Sequence, residues 1–165
     1  MAETSNDPER QLLRHTLATL AYRAAKTLRG VPEGFADFRV GDGSAGTRSP
    51  VEILAHMGDL FDWALTQAQG QERWNAATPM PWDQECERFF AVLTKFDGFL
   101  ASDAVLQRPV ALLFQGPIAD ALTHTGQIAQ LRRMAGSPVR GESYARALIE
   151  VGRTRAEQAP PKVEF

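Results

Sequence analysis

Apolar residues recur at helical spacing in four separate segments of this chain, and this pattern restricts the fold more than any other feature. Residues three and four positions apart lie on one face of a helix, and an apolar face must be buried against another element. Polar segments rich in Gly, Asp, Ser and Pro separate the four stretches. The pattern predicts an all-α four-helix bundle whose helices begin near Asp7, Ser49, Trp82 and Pro117.

Two of these helices have strong start signals. Ser49-Pro50-Val51-Glu52 is a capping box with proline at the first helical position, and Asp7 can cap a helix that begins at Pro8. The loop over residues 30–49 is long enough for the second helix to run parallel to the first. A simple up-down order therefore does not follow from the sequence.

Two other segments are less regular. Residues 110–114 are all apolar and compatible with a short strand, but no partner strand is evident, so we interpret them as a buried connection. A shorter helix is predicted from Ser143 to Val151. The remaining residues, 152–165, are expected to form a proline-interrupted tail.

Length and composition predict one ordinary globular domain over residues 1–165. Hydrophobic residues make up 44% of the chain, and 18 Lys and Arg nearly balance 20 Asp and Glu. The net charge of −2 disfavours binding to nucleic acid or to a membrane surface. No apolar run approaches the roughly 20 residues of a membrane helix, and the N-terminus lacks the apolar core of a signal peptide. We therefore expect a cytoplasmic protein.

Cys86 is the only cysteine, which excludes an intramolecular disulfide and a cysteine-rich zinc site. The acidic neighbours Asp83, Glu85 and Glu87 raise the pKa of its thiol, because they disfavour the thiolate. A cysteine nucleophile is therefore not expected.

Two of the three histidines, His56 and His124, lie inside predicted helices, and Asp120 lies one turn before His124. One interpretation makes the histidines half-exposed and gives Asp120 the role of favouring the helix N-terminus. The other makes His56, Asp120 and His124 a three-ligand metal site between helices, with one position open for water. Spacing alone does not decide between them. The third histidine, His15, is expected at the surface or at an interface.

Other polar and aromatic residues near these positions have alternative roles. Glu52 and Asp59 lie about one turn from His56, where either can orient the imidazole or act as a base. We favour the alternative that both are solvated helix charges. The three tryptophans are expected to pack in or around the core, although Trp74 and Trp82 flank one loop and either can line a pocket mouth instead.

The segments LAHMGDLFDWAL and ALTHTGQIAQLRRMAGSPV resemble the DinB-like (YfiT-like) metalloenzyme superfamily, most specifically at His124-Thr125-Gly126-Gln127-Ile128. Helix count, helix order and the long first loop agree as well. The resemblance implies an up-up-down-down four-helix bundle with one divalent metal, commonly zinc or nickel, held by three side chains. By position, His56 and His124 match family ligands. Asp120 stands where the family usually has histidine and where the related mycothiol-dependent maleylpyruvate isomerases have glutamate.

The resemblance also implies a function, because members with known activities are mostly thiol S-transferases and isomerases that use bacillithiol, mycothiol or glutathione. We therefore expect a homodimeric, metal-dependent thiol transferase, isomerase or hydrolase that acts on a small molecule. The alternative is a non-catalytic dimeric helical-bundle interaction protein with a vestigial or structural metal site, or none. Residues 110–114 and the aromatic third helix would then form the interface.

Overall fold

The computed structural model describes residues 7–42 and 46–165, and over these residues the regular structure is helical. Its helices are α1 (Pro8–Leu28), α2 (Pro50–Ala68), α3 (Trp82–Ala101), α4 (Val110–Leu113) and α5 (Ala119–Met134). Short 3-10 turns lie at Phe35–Asp37 and Tyr144–Arg146. The described residues contain no strand beyond an isolated bridge between Glu142 and Glu164. The predicted all-α class is confirmed.

The predicted start signals operate as expected. The Asp7 side chain accepts a hydrogen bond from the Glu9 amide, and Pro8 is the first residue of α1. At the start of α2, the Glu52 amide donates to Ser49 Oγ while the Ser49 amide donates to Glu52 Oε2 at 2.8 Å. The capping box is therefore complete, and it fixes where α2 enters the fold.

The prediction for residues 110–117 is wrong in two respects. The segment 110–114 is helical rather than a strand or an irregular connection, so the helix does not begin at Pro117. A π-helical turn, Phe114–Ile118, joins α4 to α5 and contains Pro117. Proline lacks an N–H and its ring clashes with the carbonyl four residues earlier in a regular α-helix. The wider turn accommodates the ring, and Asp120 lies in the first turn of α5.

The predicted helix from Ser143 to Val151 is also wrong, since only the 3-10 turn is helical there. The turn ends at Ala147, whose backbone is extended and cannot continue a helix. The Ser143 amide donates to the carbonyl of Val163, and the Phe165 amide donates to that of Gly141. The segment 152–165 is thereby held against α1, where Lys26 Nζ lies 2.8 Å from carboxylate oxygens of both Glu142 and Glu164.

One hydrophobic core collects the apolar faces of the four long helices. α2 packs against α3 and α5, and α1 packs against the same two helices. The largest buried side chains include Phe35, Phe61, Phe89, Phe96, Leu17 and Met57. Within the described part of the chain, every helix is too short or too polar to cross a membrane.

Arg132 fixes the C-terminal end of α5 against the C-terminal end of α1. Its Nη1 atom donates to the carbonyls of Thr27 and Arg29, and Nη2 donates to that of Gly30. Nε and Nη2 also donate to Ser137. Burial lowers the pKa of this guanidinium. Its hydrogen bonds satisfy carbonyl and hydroxyl oxygens at the C-terminal ends of α1 and α5.

Candidate metal centre

The packing of α2 against α5 brings the three predicted ligands together. His56 lies in the second turn of α2, and Asp120 and His124 follow one another by one turn on α5. Asp120 Oδ2 lies 3.5 Å from His56 Nε2, and Asp120 Oδ1 lies 3.4 Å from His124 Nε2. One donor atom of each residue falls within 4.8 Å of the other two. This group can hold a metal ion, and whether it does stays a prediction.

The two imidazoles are arranged edge to face. Their ring centroids are 5.0 Å apart and their planes differ by 82°. The side chains of His56 and His124 are 25% and 12% exposed, whereas that of Asp120 is 46% exposed. Two half-buried nitrogen donors and one open carboxylate therefore share a small region at the protein surface.

Gln127 orients the ring of His124. His124 Nδ1 lies 2.7 Å from Gln127 Oε1, and an amide oxygen only accepts hydrogen bonds. Nδ1 is therefore the donor in this hydrogen bond, and Nε2 is the ring nitrogen that faces Asp120. A hydrogen-bond partner on the second ring nitrogen is the usual arrangement for histidines that bind metals. The sequence reasoning placed Gln127 on this helix strip but gave it no role.

Burial is the main cause that lowers the pKa of His56, and the nearby His124 and Arg48 act in the same direction. The Asp120 carboxylate opposes them. The result favours the neutral imidazole, which is the form that binds a metal ion.

Two cavities meet at His56. The larger, about 670 Å³, lies between the start of α2 and the outer part of α5. Its wall contains His56, Asp120 and His124, polar Thr47, Arg48, Gln127 and Gln130, and apolar Ile53, Leu131 and Met134. A second cavity of about 570 Å³ lies on the other side of His56, and Trp74 and Arg48 line it. A small molecule in the larger cavity can reach all three residues, whereas one in the second cavity can reach His56.

Trp74 forms an aromatic wall beside His56. The indole is 5.6 Å from the His56 ring and 5.7 Å from Trp63, and it is 46% exposed. The expectation that a tryptophan of this loop can line a pocket mouth is met by Trp74. Trp82 instead packs edge to face against Phe35, with ring centroids 5.7 Å apart, and lines a different cavity.

An ion-pair cluster that the sequence reasoning missed holds the segment carrying Trp74. Arg88 pairs with Asp59 at 3.0 Å and with Glu85 at 2.9 Å. The remaining oxygens of the two carboxylates accept hydrogen bonds from the backbone amides of Ala77 and Met80, at 3.1 and 2.9 Å. The irregular segment 71–81 is thereby tied to both α2 and α3.

The prediction that Asp59 is a solvated charge is wrong, since the residue is only 4% exposed. Gly58 explains how Arg88 reaches it, because a Cβ atom at Gly58 would lie 2.7 Å from Arg88 Cζ. The adjacent Gly58-Asp59 pair, with Glu85 and Arg88 one turn apart on α3, was the available signal. Asp59 nevertheless depended on partners distant in sequence, since Arg88 is 29 positions away and Ala77 is 18 positions away.

The other candidates keep structural or surface positions. Glu52 belongs to the capping box and pairs with Arg39 at 2.7 Å, and its side chain is 38% exposed. His15 is exposed on α1, as predicted. Burial, followed by the charges of Asp83, Glu85 and Glu87, raises the pKa of Cys86 to about 12. The expectation that this thiol is no nucleophile is thereby supported.

Comparisons of the chain with protein-family models, with curated proteins and with solved structures found no match. Membership of the DinB-like superfamily therefore stays a prediction that rests on the quoted segments. Functional conclusions come from the geometry of the His56–Asp120–His124 group and of the cavities beside it.

Proposed function

We propose that this protein is a metal-dependent enzyme of the DinB-like type, a thiol S-transferase, isomerase or hydrolase. In this proposal one divalent ion, zinc or nickel, is held by His56, Asp120 and His124 between helices of an up-up-down-down four-helix bundle. The observation that carries the proposal is the convergence of these three side chains from two helices on the wall of a 670 Å³ cavity.

The donor set fits such an ion in chemistry and in spacing. Two imidazole nitrogens and one carboxylate oxygen are a ligand set of catalytic zinc sites, and imidazole also suits nickel. Two donors that are each about 2.1 Å from a tetrahedral zinc ion lie about 3.4 Å apart. Asp120 Oδ2 lies 3.5 Å from His56 Nε2 and Asp120 Oδ1 lies 3.4 Å from His124 Nε2, so each histidine has this spacing from one oxygen of the carboxylate. One donor atom from each of the three residues lies within 4.8 Å of the other two.

The reaction class follows from what a three-ligand site leaves open. A divalent ion with a vacant position lowers the pKa of a bound thiol or water and polarises an electrophile. The chain's own residues supply the surroundings: Gln127 holds the His124 ring, and Ile53 and Leu131 give the cavity a dry wall. A low-molecular-weight thiol as co-substrate is inferred from the family resemblance.

Metal content tests the proposed site directly. Purified protein should bind one zinc or nickel ion per chain after removal of metal by a chelator and reloading, as measured by elemental analysis. His56→Ala and His124→Ala should lose the ion, and Asp120→Asn should bind it at least about tenfold more weakly. His15→Ala is the matched control, because it removes an exposed histidine outside the group. Full metal content in the Asp120 variant would show that Asp120 only stabilises the start of α5.

Turnover separates the enzyme from the non-catalytic interaction protein. The metal-loaded protein should be screened with bacillithiol, mycothiol and glutathione against electrophiles, and with ester and amide substrates in the absence of thiol. Activity that His124→Ala abolishes and His15→Ala retains supports the enzyme. A metal-loaded protein without turnover across the screen favours the interaction protein with a structural or vestigial site.

The homodimer is also part of the proposal. Its support is the exposure of large apolar side chains on the helices, among them Leu12 at 68% and Phe114 at 47%. Contiguous apolar patches, rather than single exposed side chains, mark interaction surfaces, so the dimer also rests on the family resemblance. Light scattering at micromolar concentration should give the mass of two chains, and a monomer mass contradicts this part of the proposal.

A further inference from the structure

We propose that the ligand of the cleft beside His56 is a small carboxylate, and that Arg48 is the residue that binds its negative charge. This inference deepens the proposed function and rests on it, since it names the substrate class of the same site. Arg48 lines both cavities that meet at His56, so it faces a molecule that enters from either side.

Among the described residues, Arg48 has no partner for its charge, whereas its charged neighbours are paired. In the two cavities, Glu52 is bound by Arg39 and Asp59 by Arg88. Asp120 lies between the two imidazoles. Within residues 7–42 and 46–165, Arg48 forms no ion pair and its side chain forms no hydrogen bond. No described residue uses the donors of the guanidinium, which can bind a ligand.

The backbone on both sides of Arg48 is fixed, so its exposed side chain starts from a defined position. The Thr47 amide donates to the Val40 carbonyl at 2.9 Å, and the Val40 amide donates to Thr47 Oγ1 at 3.0 Å. Ser49 follows as the buried N-cap of α2. An arginine anchored in this way loses less conformational freedom on binding than one on a free loop.

The remaining wall of the larger cavity indicates what accompanies the charge. Ile53 and Leu131 are buried there, and Met134 is 50% exposed. These side chains favour a ligand with an apolar body. A divalent ion carries more charge than the single Asp120 carboxylate offsets, so the loaded site also favours an anion. Arginine suits a carboxylate because its planar fork matches the two oxygens.

Cobalt-loaded protein provides a spectroscopic test that does not depend on turnover. Thiols that bind Co²⁺ through sulfur produce a charge-transfer absorption, which reports affinity on titration. The probes are 3-mercaptopropionate and 3-mercaptopropan-1-ol, which match in chain length and differ in charge, with 6-mercaptohexanoate and 6-mercaptohexan-1-ol as the longer pair. The carboxylates should bind at least about fivefold more tightly than the alcohols, as expected for a hydrogen-bonded charge pair at a partly exposed site.

Three variants assign that preference to a residue. Arg48→Gln should reduce the ratio of affinities to about one, and Arg48→Lys should retain part of it. Arg133→Gln is the matched control, because it removes an exposed arginine of α5 that lines neither cavity. Equal affinities in wild type, or a preference that survives in Arg48→Gln, overturns the role of Arg48 while the metal centre stands.

Failure of the protein to bind cobalt would overturn the proposed metal centre, and a metal-free measurement then decides on Arg48. Trp74 lines one cavity together with Arg48, so its fluorescence reports on anions there. The Trp74 contribution is obtained by difference from Trp74→Phe. Quenching by iodide, relative to neutral acrylamide at constant ionic strength, should fall in Arg48→Gln and stay unchanged in Arg133→Gln. Equal quenching in the two variants overturns the anion site.

Discussion

His56 and Asp59 lie three residues apart on α2, yet they belong to clusters of opposite kinds. Asp59 has both carboxylate oxygens occupied, by Arg88 and by the Ala77 amide, and is 4% exposed. The carboxylate of Asp120 beside His56 is 46% exposed and lies 3.4 to 3.5 Å from two imidazole nitrogens. The Asp59–Arg88 cluster, the closed cluster, uses its hydrogen-bonding capacity within the protein. The His56–Asp120–His124 cluster, the open cluster, keeps an exposed carboxylate that can bind a ligand.

The difference separates a structural network from a candidate site. A buried charge is tolerated when it is paired and hydrogen-bonded, and the Arg88 cluster meets that condition. Its task is to tie the segment 71–81 to α2 and α3, which places Trp74 against His56. The open cluster therefore depends on the closed one for a wall of its cleft.

The largest expected effect is that of removing the cation of the closed cluster. Arg88→Ala leaves Asp59 and Glu85 buried without their partner and should lower the free energy of unfolding by about 3–5 kcal/mol. Urea denaturation of the metal-free protein measures this loss. Arg133→Ala, at an exposed position, should change it by no more than about 0.5 kcal/mol.

A compensated variant identifies the cause of that loss. Arg88→Met combined with Asp59→Asn and Glu85→Gln removes all three charges and should recover part of the stability. No recovery would mean that packing of the Arg88 side chain, rather than its charge, holds the cluster.

The two carboxylates should respond differently to the same substitution. Asp59→Asn places an amide NH2 group against Arg88 or the Ala77 amide and should cost about 2–3 kcal/mol, because buried hydrogen bonds to charged groups are lost. Asp120→Asn should cost at most about 1 kcal/mol in metal-free protein, which is the value of an acidic residue at a helix N-terminus. Equal losses by urea denaturation would remove the distinction between the clusters.

Gly58 tests the same network through its geometry. Gly58→Ala should destabilise the protein by about 1–2 kcal/mol, because the new Cβ must displace the Arg88 guanidinium. Gly98→Ala is the matched control, since Gly98 is also helical and a Cβ there meets no atom within 4 Å. That control should be stabilising by about 0.5–1 kcal/mol, and opposite signs in thermal unfolding would confirm the close approach.

The sequence predicted the parts of the fold that short-range signals determine. Asp7 and Ser49 begin helices because their caps are completed within three residues. Residues 143–151 were assigned wrongly because the local pattern does not show that Ser143 pairs with Val163, twenty residues further along, or that the chain becomes extended at Ala147. The π-helical turn at Pro117 was missed because proline is common at the first position of a helix, so its presence there predicted a helix start.

The candidate site shows the same limit. The one-turn spacing of Asp120 and His124 predicted that they share a helix face, but no spacing decided whether His56, on another helix, lies beside them, and the family resemblance favoured it. Asp59 was misread because Arg88 is 29 positions away. Burial of a charged residue is decided by such distant partners, so a composition-based preference for exposure could not identify it.

The smallest expected effect concerns the exposed ion pair at the start of α2. The hydrogen bond from Arg39, supported by that from the Ser49 amide, lowers the pKa of Glu52 below its ordinary value of 4.5. The folded-state pKa therefore lies below that of the unfolded chain. The contribution of Glu52 to the free energy of unfolding is present above pH 4.5 and is lost as the pH falls through the folded-state value.

Because the pair is exposed, solvent screening limits this contribution to at most about 0.5 kcal/mol. In unfolding curves, Glu52→Gln should be less stable than wild type at about pH 7, and this deficit should shrink at about pH 3. Glu33→Gln, which removes an exposed carboxylate that pairs with no described residue, should match wild type at both. A Glu52→Gln deficit that persists undiminished at the lower pH would attribute the effect to the geometry of the capping box rather than to its charge.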